Sequence, residues 1–200
     1  MKYFNTLPKV VTTDNNNNSI VLTNLLARVN VIPELLKNPL LYYSYDVQEG
    51  ETPEIIASKY YGSPDNFWIV MFSNQLLDPE WDWPLSYANF SAYIIDKYGS
   101  ASAAQSQIAR YEKIITTSDS LSNMVNREVI IIDQNEYSNT ALNTVTVDFG
   151  DETAVITTEV NVVSAYDSEL LVNESKRNIN LLNVKFLPTI QSQFKKLMGV

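Results

Sequence analysis

Acidic side chains are the residues of this sequence whose spacing could support chemistry. They form two groups of three, each within a short stretch: Glu49, Glu51 and Glu54, and Asp78, Glu80 and Asp82. Two carboxylates about 5–9 Å apart can act as acid and base in glycoside hydrolysis. Acids that alternate on exposed turns are usually solvated, however, and Glu54 also suits the first turn of a helix. We therefore expect no catalytic residues and no enzymatic activity.

Metal and cofactor sites have little support in the sequence. The chain contains neither histidine nor cysteine, so the commonest general base, the commonest transition-metal ligand and thiolate chemistry are excluded. Asp148, Gly150, Asp151 and Glu152 resemble part of a calcium loop, but they lack the ligand spacing of an EF-hand and are better explained as a hairpin turn. With five glycines there is no phosphate-binding motif. We expect neither a metal nor a cofactor.

The stretch Trp81-Asp82-Trp83 is the most suggestive ligand-binding feature. Indole rings beside carboxylates stack well on sugars. Large aromatic side chains also fill protein cores and anchor protein interfaces. Packing or a protein interface is the favoured interpretation, and sugar binding stays open as the alternative.

Composition limits the classes of partner. The chain has 200 residues, 45% of them hydrophobic, and a net charge of −9. Without a basic stripe to neutralise phosphates, we expect no nucleic-acid partner. The first residues do not resemble a signal peptide, and no apolar run approaches the roughly 20 residues that span a bilayer. We expect no membrane partner, and a protein made and used in the cytoplasm.

Residues 42–99 carry the densest helix signals of the chain. Tyr42–Val47 alternates large side chains as a strand does, and a turn follows. Thr52 then occupies an N-cap position, and Pro53 the first helical position, where its missing N–H costs nothing. Glu54 complements the positive end of the helix dipole, and Gly62 fits a C-terminal cap.

Two more helices are predicted directly after the first. Ser63 and Pro64 repeat the cap signal, and the apolar run 67–72 predicts a helix that ends near Asn74. Phe90 and Ile94 then lie at helical spacing in a helix predicted over 86–99.

This order of elements resembles the LysM module, which consists of a strand, a Gly-acid-Thr turn and two helices. The residues that carry the resemblance are Gly50, Glu51, Thr52, Ile56, Ala57, Tyr61, Gly62, Trp68 and Asn74. A LysM module closes with a second strand, whereas this chain has the loop 78–85 at that point. We therefore expect the closing strand to be lost and the helix 86–99 to seal the module.

A narrower resemblance covers about three quarters of the chain. It rests on sequence pairs and triplets within the module and on two flanking segments: Pro53-Glu54, Asp78-Pro79, Trp83-Pro84, Lys97-Tyr98-Gly99, 25–31 and 166–198. The sequence resembles the LysM-like baseplate wedge subunit of contractile-tailed phages, of the T-even gene product fifty-three type. This resemblance implies a structural subunit, present in multiple copies per baseplate, that joins neighbouring wedge proteins around the hub during assembly and contraction. Its implied partners are other wedge and sheath-initiator proteins. Its implied location is the virion tail baseplate, assembled in the host cytoplasm.

The flanking regions complete an α+β prediction. Residues 1–41 are expected to form an N-terminal arm, with strands over 9–13 and 20–22 around an Asn-rich tip, and with a short helix that begins at Thr23. Residues 42–99 form the small LysM-like β-α-α module with its further helix. Residues 100–200 form a β-rich half closed by a helix. Its expected strands cover 113–117, 125–132, 145–149, 155–163, 169–172 and 179–182, and its expected helix covers 186–198.

Partner anchors are expected among the large apolar side chains of the arm and the aromatic loop. The predicted anchors are Trp81, Trp83, Tyr87, Leu25, Leu26 and Val29. The alternative functions are a LysM-type module that binds peptidoglycan or chitin, and a lytic enzyme.

Overall fold

Helices and strands are mixed along the chain in the computed structural model, which describes residues 3–27, 38–120, 124–150 and 153–199. The predicted α+β class is confirmed. The chain divides into two compact units: Met1–Ser86 with Glu174–Val200, and Tyr87–Asn173. The second unit is thus an insertion in the sequence of the first. The boundaries of these units differ from those of the three sequence segments 1–41, 42–99 and 100–200, because residues 174–200 belong to the first unit.

Strands and helices follow one another along the described ranges without a regular alternation. The strands are β1 (Lys9–Thr13), β2 (Ser19–Thr23), β3 (Tyr42–Asp46), β4 (Ile108–Asp119), β5 (Val125–Ile132), β6 (Asn143–Asp148), β7 (Thr153–Ser164) and β8 (Asn178–Leu182). The α-helices are α1 (Pro53–Tyr61), α2 (Phe67–Ser73), α3 (Tyr87–Tyr98), α4 (Ala101–Ser106), α5 (Gln134–Asn139), α6 (Ala165–Ser175) and α7 (Leu187–Met198). Short 3₁₀ turns cover Tyr3–Thr6, Pro64–Asn66 and Val184–Phe186.

The strand β3 is closed by a strand from the far end of the chain. It pairs antiparallel with β8, from Tyr42 opposite Leu182 to Asp46 opposite Asn178. The expectation that the closing strand is lost is therefore wrong. The loop 78–85 cannot provide that strand, but residues 178–182 do.

An aromatic cluster forms the core of the first unit. The ring of Trp68 lies 4.6 Å from that of Phe194 in α7, and Tyr3 lies 5.4 Å from Phe194. Aliphatic side chains of α1, α2 and β8 complete this core, including Ile56, Val70, Ile179, Leu181 and Leu182. Such burial is the main favourable contribution to folding.

The second unit is built on a four-stranded antiparallel sheet in the order β5-β4-β7-β6. Helix α3 belongs to this unit, where Phe90 makes an edge contact with Tyr166 of α6. Glu169 of α6 accepts hydrogen bonds from Lys97 at 2.7 Å and Tyr98 at 2.9 Å. These contacts of α3 lie within the second unit, and the sealing of the module by this helix stays a prediction.

Four local features of the structure differ from the sequence analysis. Residues 169–172 lie in helix α6 and not in a strand, because a short run with three apolar residues, 170–172, fits either element. Thr23 ends β2, and Leu25 and Leu26 lie in a turn and not in a helix. Helical spacing predicts Leu197 on the same side of α7 as Phe194, but Leu197 is exposed and Met198 is buried. Helix α5 was not predicted, although Asp133 caps it by accepting from the Glu136 N–H.

Candidate partner-binding surfaces

The turn before α1 is held by the local signals that the sequence shows. Gly50 has φ +75°, a left-handed conformation that favours glycine. The Thr52 hydroxyl accepts a hydrogen bond from the Ile55 N–H at 3.4 Å, and Pro53 begins the helix next to Glu54 in its first turn. Gly62 ends the helix in the left-handed region. These residues fix the direction in which the Glu51 side chain leaves the turn.

Glu51 is a carboxylate of the first unit that is bonded by three different residues. Its buried side chain accepts from the Tyr45 hydroxyl at 2.9 Å, the Gln48 N–H at 3.0 Å and the Lys59 ammonium at 2.5 Å. Burial by itself would raise the pKa of Glu51, but the bonds from Lys59, Gln48 and Tyr45 outweigh it and lower the pKa. Glu51 is thus held as a carboxylate in a structural role.

Trp83 is buried against this turn. Its side chain is 6% exposed, and its indole N–H donates to the backbone carbonyl of Glu51 at 2.8 Å. Trp83, one of the predicted partner anchors, therefore packs within its own chain, which is one form of the favoured packing or interface interpretation. Trp83 fixes the base of the loop.

Trp81 lies two residues earlier and is 61% exposed. Its loop is shaped by two aspartates. Asp82 accepts from the Leu77 and Asp78 N–H groups at 2.9 Å each, and Asp78 accepts from the Glu80 N–H at 2.9 Å. The two backbone hydrogen bonds lower the pKa of Asp82. Pro79 lies inside this turn, which presents Trp81 to solvent.

A residue near the C-terminal end of the chain also bonds to the loop. The Lys176 ammonium donates to the Trp81 carbonyl. Its neighbour Arg177 donates to the Val47 carbonyl at 3.2 Å and pairs with Glu49 at 3.2 Å. Four of the six carboxylates that could have formed an acid–base pair are therefore engaged in turns or ion pairs: Glu49, Glu51, Asp78 and Asp82.

Asn74 has a role that sequence reasoning missed. Its amide nitrogen donates to the Asn180 carbonyl at 2.9 Å, and its amide oxygen accepts from the Asn180 N–H at 2.7 Å. The same nitrogen also donates to the Val70 carbonyl at 2.8 Å. One side chain thus bonds both backbone groups of a β8 residue, as a neighbouring strand would.

Three of the other predicted anchors lie on the surface. Leu25 and Leu26 are both exposed in the turn after β2, Leu26 at 87%. Tyr87 begins α3 in the second unit and is 73% exposed. Val29 lies outside the described residues.

The N-terminal hairpin, defined as β1 and β2, lies in the predicted N-terminal arm and is a further exposed surface. Every residue of both strands is exposed. The register places Val10 opposite Leu22 on one face and Val11 opposite Val21 on the other. Five aliphatic side chains on a two-stranded ribbon therefore face solvent: Val10, Val11, Ile20, Val21 and Leu22. The available signal was the pair of short apolar runs, Val10-Val11 and Ile20-Val21-Leu22.

Other classes of site have little support in the part of the chain that the structure describes. Within those residues no cluster of three or more acidic side chains is arranged to hold a metal ion. Gly150 donates its N–H to Asp148 at 2.8 Å in the connection between β6 and β7. No helix of the described ranges is long and apolar enough to cross a membrane.

The comparison with known families identifies the class of protein. A family model described as base plate wedge protein 53 of phages matches residues 2–197. The match spans nearly the whole chain, and the chain belongs to this family. No curated protein matches the chain. The protein is therefore a structural component of a phage tail baseplate, and its partners are other baseplate proteins. The LysM likeness of residues 42–74 stays a prediction.

Proposed function

We propose that this subunit joins neighbouring wedge proteins around the hub and keeps them joined while the ring assembles and changes shape on contraction. Membership in the wedge family supports the role, and one structural observation carries it. Large apolar side chains are displayed on short, well-bonded segments of the first unit, where they add nothing to its core. The same proposal includes sheath-initiator proteins as partners, several copies of this subunit per baseplate, and assembly in the host cytoplasm.

Trp81 is the proposed anchor of the aromatic loop. The Asp78 and Asp82 bonds hold its backbone before any partner arrives. A side chain presented in this way loses little conformational freedom on binding. Buried tryptophans are among the residues that contribute most to protein interfaces. We propose Trp81, Tyr87, Leu25 and Leu26 as anchors, with Trp83 as the buried support of the loop that carries Trp81.

The test is incorporation into wedges. Wedges purified from infections that lack this subunit are mixed with the full chain or its Trp81→Ala variant, and bound protein is measured after sedimentation. We expect the variant to keep the wild-type melting temperature and to bind at least about 30-fold more weakly, the effect of a hot-spot truncation of 2 kcal/mol or more. Phe149→Ala, at an equally exposed aromatic of the second unit, is the matched control. Equal binding of Trp81→Ala and wild type would reject Trp81 as an anchor.

Peptidoglycan or chitin binding is the alternative. One of the two indoles that would stack on a sugar is buried, which leaves a single exposed ring in the loop. Stacking on sugars from both sides is thereby lost, and a protein partner is the better proposal. Sedimentation of the full chain with purified peptidoglycan distinguishes the two, because a protein dedicated to the baseplate stays in the supernatant. Loss of turbidity in a cell-wall suspension would instead indicate a lytic enzyme.

A further inference from the structure

In the N-terminal hairpin, the backbone N–H and C=O groups of some residues point toward the paired strand and those of others point outward. At the tip, the Asp14 N–H donates to the Asn18 carbonyl at 2.9 Å, and at the base the Asn24 N–H donates to the Pro8 carbonyl at 2.8 Å. In an antiparallel pair, hydrogen-bonded and non-hydrogen-bonded residue pairs alternate. The bonds at the two ends make Asp14–Asn18 and Pro8–Asn24 hydrogen-bonded pairs, and the register between them then makes Thr12–Ile20 and Val10–Leu22 hydrogen-bonded pairs too. The backbone groups of Lys9, Val11 and Thr13, and of Ser19, Val21 and Thr23, point away from the hairpin.

The two outer edges differ in their protection against further pairing. The β1 edge carries Lys9 and is preceded by Pro8, two residue types that natural proteins use to block strand addition. The β2 edge, Ser-Ile-Val-Leu-Thr, carries no charge and no proline. The exposed Leu25 and Leu26 follow directly after it. A hairpin of two strands is at most marginally stable in water alone, so an additional strand would stabilise it.

We infer that the outer edge of β2 is a strand-addition site, where an extended segment of another wedge protein adds a third strand to the hairpin. This inference rests on the proposed joining function and names the kind of partner. The outward N–H and C=O groups of Ser19, Val21 and Thr23 require an extended backbone of about five residues. The faces of β2 require an uncharged segment that is apolar on both sides, opposite Ile20 and Leu22 on one face and Val21 on the other. The net charge of −9 works against a second copy as the occupant.

Proline substitution tests this edge without disturbing the hairpin itself. Val21→Pro removes an outward N–H, and the β1–β2 hydrogen bonds do not use that group. Val11→Pro is a matched control, because Val11 lies directly opposite Val21 and loses the same group from the other edge. Both full-length variants are first compared with wild type by circular dichroism and melting temperature, and we expect no difference. Each is then mixed with wedges that lack this subunit.

We expect Val21→Pro to reduce incorporation by at least about tenfold, since it removes one backbone bond and obstructs its neighbours, whereas Val11→Pro stays within about twofold of wild type. Val21→Lys should repeat the loss through charge, without the backbone change. Equal incorporation of both proline variants, or an equal loss, would overturn the inference. So would a wild-type dimer that Val21→Pro converts to monomer. Failure of the wild type to incorporate would instead reject the proposed function.

Discussion

The first unit contains two antiparallel ribbons of equal length that have opposite surroundings. The hairpin β1–β2 and the ribbon β3–β8 each pair five residues with five. In the ribbon, Ile179, Leu181 and Leu182 are buried in the core, and the free edge of β8 is covered by Asn74. In the hairpin all ten residues are exposed. The same backbone pairing therefore serves folding in one place, and in the other leaves a surface for a partner. Burial and edge protection make the difference.

Removal of a leucine from each ribbon should give the largest contrast. Leu181 is 1% exposed and Leu22 is 52% exposed. We expect Leu181→Ala to lower the free energy of unfolding by about 2–5 kcal/mol, through lost burial and the cavity left behind. Leu22→Ala should change it by less than about 0.5 kcal/mol. All three tryptophans, at positions 68, 81 and 83, lie in the first unit, so tryptophan fluorescence in a urea titration reports on this unit. Equal losses of unfolding free energy in the two variants would contradict the difference between the ribbon and the hairpin.

The edge clamp should give an intermediate effect. Asn74→Ala removes the two hydrogen bonds to Asn180 and the bond to Val70, and we expect a loss of about 1–3 kcal/mol. Asn74→Asp is the matched variant, because it keeps an acceptor for the Asn180 N–H but sets a carboxylate oxygen against the Val70 and Asn180 carbonyls. It should be at least as destabilising as Asn74→Ala in the same urea titration. If Asn74→Ala unfolds at the wild-type midpoint, the amide does not act as a strand substitute.

The Glu51 carboxylate should give the smallest effect, and one that depends on pH. Its pKa is lower in the folded chain than the ordinary value of 4.5. Its stabilisation is therefore complete above pH 4.5 and is lost as the pH falls through the lower folded value. Glu51→Gln should cost about 1–2 kcal/mol at pH 7, since hydrogen bonds to a charged group are replaced by neutral ones.

The same substitution should also flatten the acid side of the stability curve. Melting temperatures between pH 7 and pH 3 measure both effects. Glu54→Gln is the control, at an exposed glutamate in the first turn of α1. A wild-type and a Glu51→Gln curve that run parallel over this range would contradict the role of Glu51.

The elements that the sequence predicted well are those with local signals. Helix α1 begins at Thr52 and Pro53 and ends at Gly62, and each of these signals acts within a few residues. The local sequence is therefore sufficient to predict that helix. The strand predicted over 179–182 and observed over Asn178–Leu182 was found for the same reason, from its β-branched and apolar run. Its partner was not predicted, because no local pattern indicates that Asn178 will lie opposite Asp46.

The candidate site shows the same limit at the level of single residues. Trp81 and Trp83 have the same type and almost the same neighbours, yet one is exposed and the other is buried. The difference comes from the Glu51 carbonyl, about thirty residues earlier, which accepts the Trp83 N–H. Asn74 was recognised as the end of a helix, and its bond to β8 depends on a strand 106 residues away. Tertiary contacts of this kind decide exposure, and composition does not reveal them.

Because β3 pairs with β8, the first unit can close only late in translation of the chain. A ribosome that has just produced residues 42–74 has made Asn74 and Trp68, but neither the strand that Asn74 bonds nor the Phe194 ring that packs on Trp68. It must add about a hundred more amino acids first. The whole insertion 87–173 emerges before that strand does. A polypeptide broken off within the insertion would carry an open β3 edge and an uncovered tryptophan. Only chains translated past residue 182 can close their first unit, so prematurely terminated products are marked by exposed apolar surface before they reach an assembling tail.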